Sequence, residues 1–239
     1  DRRDEFLRDR LLFTIGDNTQ DVDIEAFIFD GIFLQDTILA PELGQTVVLD
    51  EANKYVIDGF LVVPENVTLV IPAGTQLYFT PRKDANFNLI SSILVNGTLR
   101  VDGELGNEVV FQQPRFGDRY EETSDQWRGI AFFSTSRGNI LRHALIKKAL
   151  IGVYQEFNNP APFAKVFLDR REIRNMSAYG ILSSSFLPVL PQFPQIRAEN
   201  TLIHNCGEAT FQATGGGYYE FDHCTFANYS INFIRNQPQ

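Results

Sequence analysis

Four short stretches in the C-terminal half of the chain repeat one pattern, and that repeat limits the fold more than any other feature. They are Leu141-Arg-His-Ala-Leu-Ile146, Leu168-Asp-Arg-Arg-Glu-Ile173, Ala198-Glu-Asn-Thr-Leu-Ile203 and Phe221-Asp-His-Cys-Thr-Phe226. Each opens on an apolar residue, runs through four mostly polar ones and closes on a large apolar residue. Two positions later stands Lys148, Asn175, Asn205 or Asn228. The closing residues are 27, 30 and 23 positions apart. A repeat of this period marks a stacked architecture in which no unit buries its apolar side alone. The spacing predicts an all-β chain, with one coil of a three-sided parallel β-helix per repeat. The apolar positions would stack in columns inside. An asparagine column at Asn175, Asn205 and Asn228 would sit at a sharp turn, because Asn tolerates a left-handed backbone and its amide reaches a neighbouring coil.

The rest of the chain divides around this repeat. Residues 1–50 lack the pattern and read as an N-terminal cap segment; residues 51–239 read as the parallel β-helix. Within the cap, Asp4 to Phe13 mixes charged and apolar residues at a spacing that suggests a short helix. Asp23 to Asp30 alternates like a strand and runs into a turn at Asp30-Gly31. A cap of this kind would cover the first open edge of a solenoid. From Tyr55 onward, three- to five-residue strands rich in Val, Ile, Leu and Phe are broken by Pro, Gly and Asn. Asn96-Gly97 and Asp102-Gly103 suit hairpin turns. Such short and numerous segments fit bends between faces of one coil better than the strands of a sandwich. Three polar or proline-rich excursions interrupt the run, at residues 113–126, 157–164 and 186–194.

Composition narrows the partners. The net charge is −9 and the sequence pI is about 4.9. A nucleic-acid partner would need a basic face to neutralise phosphates, and anionic lipid would need the same. No window carries the long uncharged run of a membrane span. The 21 Phe residues supply buried area without polar demands, which suits an elongated core of flat layers. The chain begins at Asp1 without a signal peptide or an initiating Met, the expectation for a processed or trimmed product.

The best candidate for ligand contact is the acidic excursion with Asp118, Glu121, Glu122 and Asp125. Its carboxylates are of the type that binds calcium, although the spacing matches no EF-hand. Tyr120 and Trp127 flank it, and aromatic rings beside carboxylates suit a sugar, which offers an apolar face and many hydroxyls. The competing reading of Trp127 is a core residue. Asp169, Glu199 and Asp222 fall at one outward repeat position, with Arg142 in the first coil. His143 and His223 share another position, with Arg170 and Asn200 between them, so the two histidines would stand roughly 14 Å apart, too far to share a metal. His204 precedes a turn Asn. Cys206 and Cys224 occupy different repeat positions and are expected as free thiols, one of them buried. Four glycosylation triplets, at Asn66, Asn96, Asn175 and Asn228, coincide with expected turns. No nucleophile triad, phosphate loop or dinucleotide fingerprint is present.

Several longer phrases resemble a known family. They are Ile57 to Phe79 (IDGFLVVPENVTLVIPAGTQLYF), Leu94 to Gly103 (LVNGTLRVDG), Trp127-Arg-Gly-Ile130 and Ser136-Arg-Gly-Asn139. Together they resemble the right-handed parallel β-helix proteins of Bacteroidetes-type bacteria. These are often lipoproteins, pectate-lyase-like in fold and mostly of unassigned activity. The resemblance spans about Tyr55 to Ile234. It implies export to the periplasm or cell surface, a lipid anchor upstream of Asp1, and further coils beyond Gln239. Two functions of different classes follow as expectations. One is a non-catalytic surface scaffold that binds glycan or protein along one face. The other is a polysaccharide lyase or glycoside hydrolase with a carboxylate site built from loops.

Overall fold

A computed structural model describes residues 5–28, 30–41, 44–50, 54–115, 120, 122–156, 163–184 and 193–228. The described chain is all-β, with one antiparallel hairpin and one large parallel sheet of eighteen strands. Within that sheet the pairings follow three ladders. The first contains Thr46–Val48, Thr68–Pro72, Thr98–Asp102, Asn139–Arg142, residues 166–169 and 196–199, and Tyr219–Asp222. The second contains residues 32–35 and 54–57, Gln76–Phe79, Val109–Gln112, Ala144–Lys147, residues 171–174 and 201–204, and Thr225–Ala227. The third contains residues 37–38 and 60–63, Ser92–Val95, Gly129–Phe132, Ile151–Glu156, Tyr179–Ser184 and Ala209–Thr214. Thr98–Asp102 pairs with Thr68–Pro72 and Asn139–Arg142, and not with Ser92–Val95. Asn96-Gly97 is therefore a bend between ladders.

The repeat noticed in the sequence is the register of this sheet. Leu141 pairs with Leu168, Leu168 with Ala198, and Ala198 with Phe221. Ile146 pairs with Ile173, Ile173 with Ile203, and Ile203 with Phe226. The first column continues upward through Val101 and Ile71, and these residues are fully buried down to Ala198. Alternation decides which side chains go inward. Thr98–Asp102 and Asn139–Arg142 bury every second residue, and the buried ones meet in a single core cluster. Like stacks on like, so a column grows by one side chain with each pass of the chain.

One expectation for the N-terminal segment changes. Residues 5–15 form a strand, not a helix: β1 (Glu5–Ile15) pairs antiparallel with β2 (Asn18–Ile28) along its whole length. Alternation explains this. Leu7, Leu11, Phe13 and Ile15 share one face with Val22 and Ile24, while Arg10 bonds Asp23 at 2.9 Å on the other. Cross-strand pairs reward that period-two pattern more than a lone helix rewards the same residues. The hairpin forms a sheet of its own, and those six apolar side chains are each at least 43% exposed. It is not shown as a cover for the first edge, because Ile32–Ile38 and Thr46–Val48 already belong to the parallel ladders.

The interior also holds charge. Arg171 pairs with Thr201 on the second ladder and points into the core, where its three guanidinium nitrogens find no hydrogen-bond partner among the described residues. Burial drives its pKa well down, partly offset by Asp169. Lys165 is also fully buried and donates through Nζ to the carbonyl of Glu156. Desolvation pushes its amine down to about 8.

Both cations yield predictions. Replacing an unpaired buried ion with an apolar side chain of similar size is neutral to stabilising by about 1–4 kcal/mol. Arg171→Met should therefore raise the melting temperature, as measured by calorimetry. For Lys165 the folded pKa lies below the unfolded value of 10.5. The unfolded chain thus holds the extra proton between about 8 and 10.5, and stability rises with pH across that window. Lys165→Met should show a stability gain over the native chain of roughly 3 kcal/mol at pH 7 that shrinks above pH 8. Chemical denaturation at pH 7, 9 and 10.5 reads the difference, and a pH-independent difference would contradict it.

Candidate binding face

The acidic excursion is laid against the asparagine turns. Asp118 and Glu121 lie outside the described residues. Glu122 accepts a hydrogen bond from Asn205 Nδ2 at 3.4 Å, and Asp125 accepts one from Ser177 Oγ at 3.2 Å. Tyr120 has the Arg115 guanidinium 5.5 Å above its ring and takes a hydrogen bond from Gln113 on its carbonyl. Trp127 is fully buried, stacked on Phe79 at 3.9 Å with an angle of 8°, and donates Nε1–H to the carbonyl of Lys147 at 3.0 Å. Its ring is a core element and does not reach a ligand. Among the described residues no three His, Cys, Asp or Glu side chains stand close enough to hold a metal ion.

Of the three asparagines expected at left-handed turns, Asn175 and Asn205 have that conformation and Asn228 does not. Lys148, Asn175 and Asn205 are left-handed, with φ of 67°, 58° and 54°. Asn205 Nδ2 donates to Asn175 Oδ1 at 2.6 Å. Asn228 accepts from the Cys206 amide at 2.7 Å and donates to its carbonyl at 2.8 Å. A second left-handed column runs through His143, Arg170, Asn200 and His223, at the bend between the first and second ladders. The two histidines are bend residues with three pairings between them, and His204 sits 3.0 Å from Glu172. Both cysteines are free. Cys206 is the buried one, its thiol pushed up to about 11 by desolvation, and Cys224 is half-buried.

The acids expected in an outward column do stand in register, although Asp169 is buried. Asp102, Arg142, Asp169, Glu199 and Asp222 follow one another in register along the first ladder. Each acid faces a basic partner: Arg100 lies 2.7 Å from Asp102, Arg170 lies 3.2 Å from Asp169, Arg197 lies 2.6 Å from Glu199, and His223 lies 3.0 Å from Asp222. Three of these four acids thus have a guanidinium beside them.

One hollow, of about 420 Å³, lies on the first ladder between Phe163, Phe167, Arg197 and Glu199; a larger concave surface lies along the third ladder and the loops beside it, and of its residues the sequence singled out Asp125 alone as a candidate for ligand contact. Two adjoining hollows, of about 490 and 500 Å³, share Arg128 and Ile151. The first is walled by Phe133, Tyr154, Leu182 and Glu156, and the second by Asp84, Phe87, Asn88 and Asp125. Leu94, Ala131, Tyr154 and Leu182 are successive outward residues of the ladder, which gives an apolar floor. Gly129 keeps the floor closely packed. It has φ of 117°, and a Cβ there would lie 1.6 Å from the carbonyl oxygen of Ile151. The available signals were the Arg-Gly after Trp127 and the Asp84-Ala-Asn-Phe-Asn88 turn, but residues so far apart in sequence meet only through the stacking.

No protein-family model matches the chain, and no curated protein and no solved structure is significantly similar to it. The family reading rests on the phrases quoted above. Among the described residues no helix is long and apolar enough to cross a membrane.

The asparagine turns yield a prediction. Asn200 and Asn205 are both left-handed, at φ of 50° and 54°, so alanine is strained at either. Only Asn205 bonds its neighbour in the column. Asn205→Ala should lower the melting temperature more than Asn200→Ala, by an extra loss of about 1 kcal/mol. Equal losses by calorimetry would show that the side-chain ladder contributes nothing.

Proposed function

We propose that this chain is a non-catalytic, exported or cell-surface right-handed parallel β-helix that binds a glycan along one face. Three parallel ladders joined by left-handed bends support the solenoid reading. The observation that carries the binding reading is the paired hollow on the third ladder. It combines an apolar floor with aromatic side chains at Phe87, Phe133 and Tyr154 and polar groups at its rim. A sugar ring stacks its C–H face on an aromatic side chain and spends its hydroxyls on polar neighbours. Export and a lipid anchor are supported by the family resemblance alone.

The lyase or hydrolase reading would draw on the outward acids of the first ladder. A glycosidase uses one carboxyl group as acid and another as base or nucleophile. The arginine partners of Asp102, Asp169 and Glu199 weigh against that reading, as they compensate those three carboxylates.

A glycan array with the purified chain, followed by product analysis on every hit, tests the proposal. Binding without cleavage is expected, and Tyr154→Ala should weaken it at least tenfold while leaving the melting temperature within a few degrees. Released oligosaccharides, or hits unaffected by Tyr154→Ala, would overturn it.

A further inference from the structure

We infer that the groove on the third ladder selects glycans carrying an isolated anionic group, a uronic carboxylate or a sulfate ester, and that Arg128 is the residue that reads it. The inference rests on the glycan-binding reading of the same groove. Arg128 sits where the two hollows meet, and its side chain is exposed. Its backbone is fixed on both sides: its N–H donates to Ser91 at 2.8 Å, and its carbonyl accepts from Ile151 at 3.1 Å. No carboxylate of the described residues forms an ion pair with it, although Asp84, Asp125 and Glu156 line the same hollows.

Two of those acids are already engaged. Asp84 Oδ1 accepts the amides of Asn86 at 2.8 Å and Asn88 at 2.9 Å, and its Oδ2 accepts Asn88 Nδ2 at 3.1 Å. These bonds, with Asn88 foremost, hold its pKa below the usual carboxylate range. Asp125 takes the hydroxyl of Ser177. Among the described residues the Arg128 guanidinium makes no side-chain hydrogen bond, although its charge also lowers the Asp84 pKa; its planar fork of five donors has a shape matched by a carboxylate or sulfate group.

The tethered Asp84 also builds the wall beside it. The Lys83–Leu89 bridge closes a tight loop, and the Phe87 amide donates to the Asp84 carbonyl at 3.0 Å. Phe87 is held at φ of 64° with 81% of its surface exposed. A bulky residue in the left-handed region is an outlier, and such strain gathers at ligand-holding positions. Phe87 shares one hollow with Arg128, and Tyr154 shares the other. Sugars seated on the two rings would bring a group on the chain between them to the guanidinium. A single cation among acids, on a chain of net charge −9, repels a densely charged polymer and admits a sparse one.

The test is calorimetric titration with paired probes: xylohexaose with and without one glucuronic acid branch, a neutral galactan hexasaccharide with and without one sulfate ester, and polygalacturonate. At least one singly acidic member should bind ten or more times more tightly than its neutral twin, and its identity distinguishes carboxylate from sulfate. Arg128→Gln should erase that difference; Arg128→Lys should restore part of it. If both twins bind alike, if Arg128→Gln keeps the preference, or if polygalacturonate binds best, the inference falls. The glycan-binding reading survives those results provided neutral binding is still lost in Tyr154→Ala. Absence of binding by every probe defeats both.

Discussion

Everything in this structure depends on parallel strands stacking in register, so that each buried side chain lies on its counterpart from the previous pass. Backbone hydrogen bonds run between passes and the apolar columns run beside them, so one alignment satisfies both. A slip of one residue would turn every column outward, because successive side chains point to opposite faces. The columns from Ile71 to Ala198 and from Leu77 to Ile203 are apolar throughout, and this continuity fixes the register. The bends are held as firmly. Left-handed positions recur at the same two corners on successive passes, and at one of them asparagine amides tie neighbouring turns together.

The same stacking places groups that a globular core would reject. Arg171 occupies an inward place also held by Thr201, and Lys165 lies beneath the end of a third-ladder strand. Close by, Gln155 and Tyr219 both donate to Ser183, at 2.8 and 2.9 Å. The Gln155 amide nitrogen and the Tyr219 hydroxyl are satisfied in this way, although Gln155 Oε1 has no partner among the described residues; an unpaired guanidinium costs its full desolvation. The fold tolerates it because so long a parallel sheet spreads stability over many neighbouring strand contacts, and no single column carries the whole.

Much of the fold was legible in the sequence because the sheet reads a local code. The apolar ends of Leu141–Ile146 and its three counterparts, and the Asn two places on, mark inward positions and corners without knowledge of distant contacts. The N-terminal strand was not legible. Glu5–Ile15 holds apolar residues at both helical and alternating spacings, and only pairing with Asn18–Ile28 decides between them. The candidate face was legible in part. The acidic excursion does meet the asparagine corner, through Glu122 and Asp125, yet Trp127 turns into the core to stack on Phe79. The groove itself unites Phe87, Arg128 and Tyr154 from three separate passes. Composition and spacing cannot announce such a meeting; it becomes visible once the ladder order is known.

The groove and the register thus stand together, since Arg128 meets Tyr154 only if Gly129–Phe132 lies beside Ile151–Glu156 in parallel. The most direct measurement is a set of inter-strand nuclear Overhauser contacts in solution for residues 139–206. Contacts of Leu141 with Leu168, Leu168 with Ala198, and Ile130 with Val153 are the predicted result. Cross-strand contacts between residues 139–142 and 144–147, the mark of a folded-back hairpin, would contradict the account.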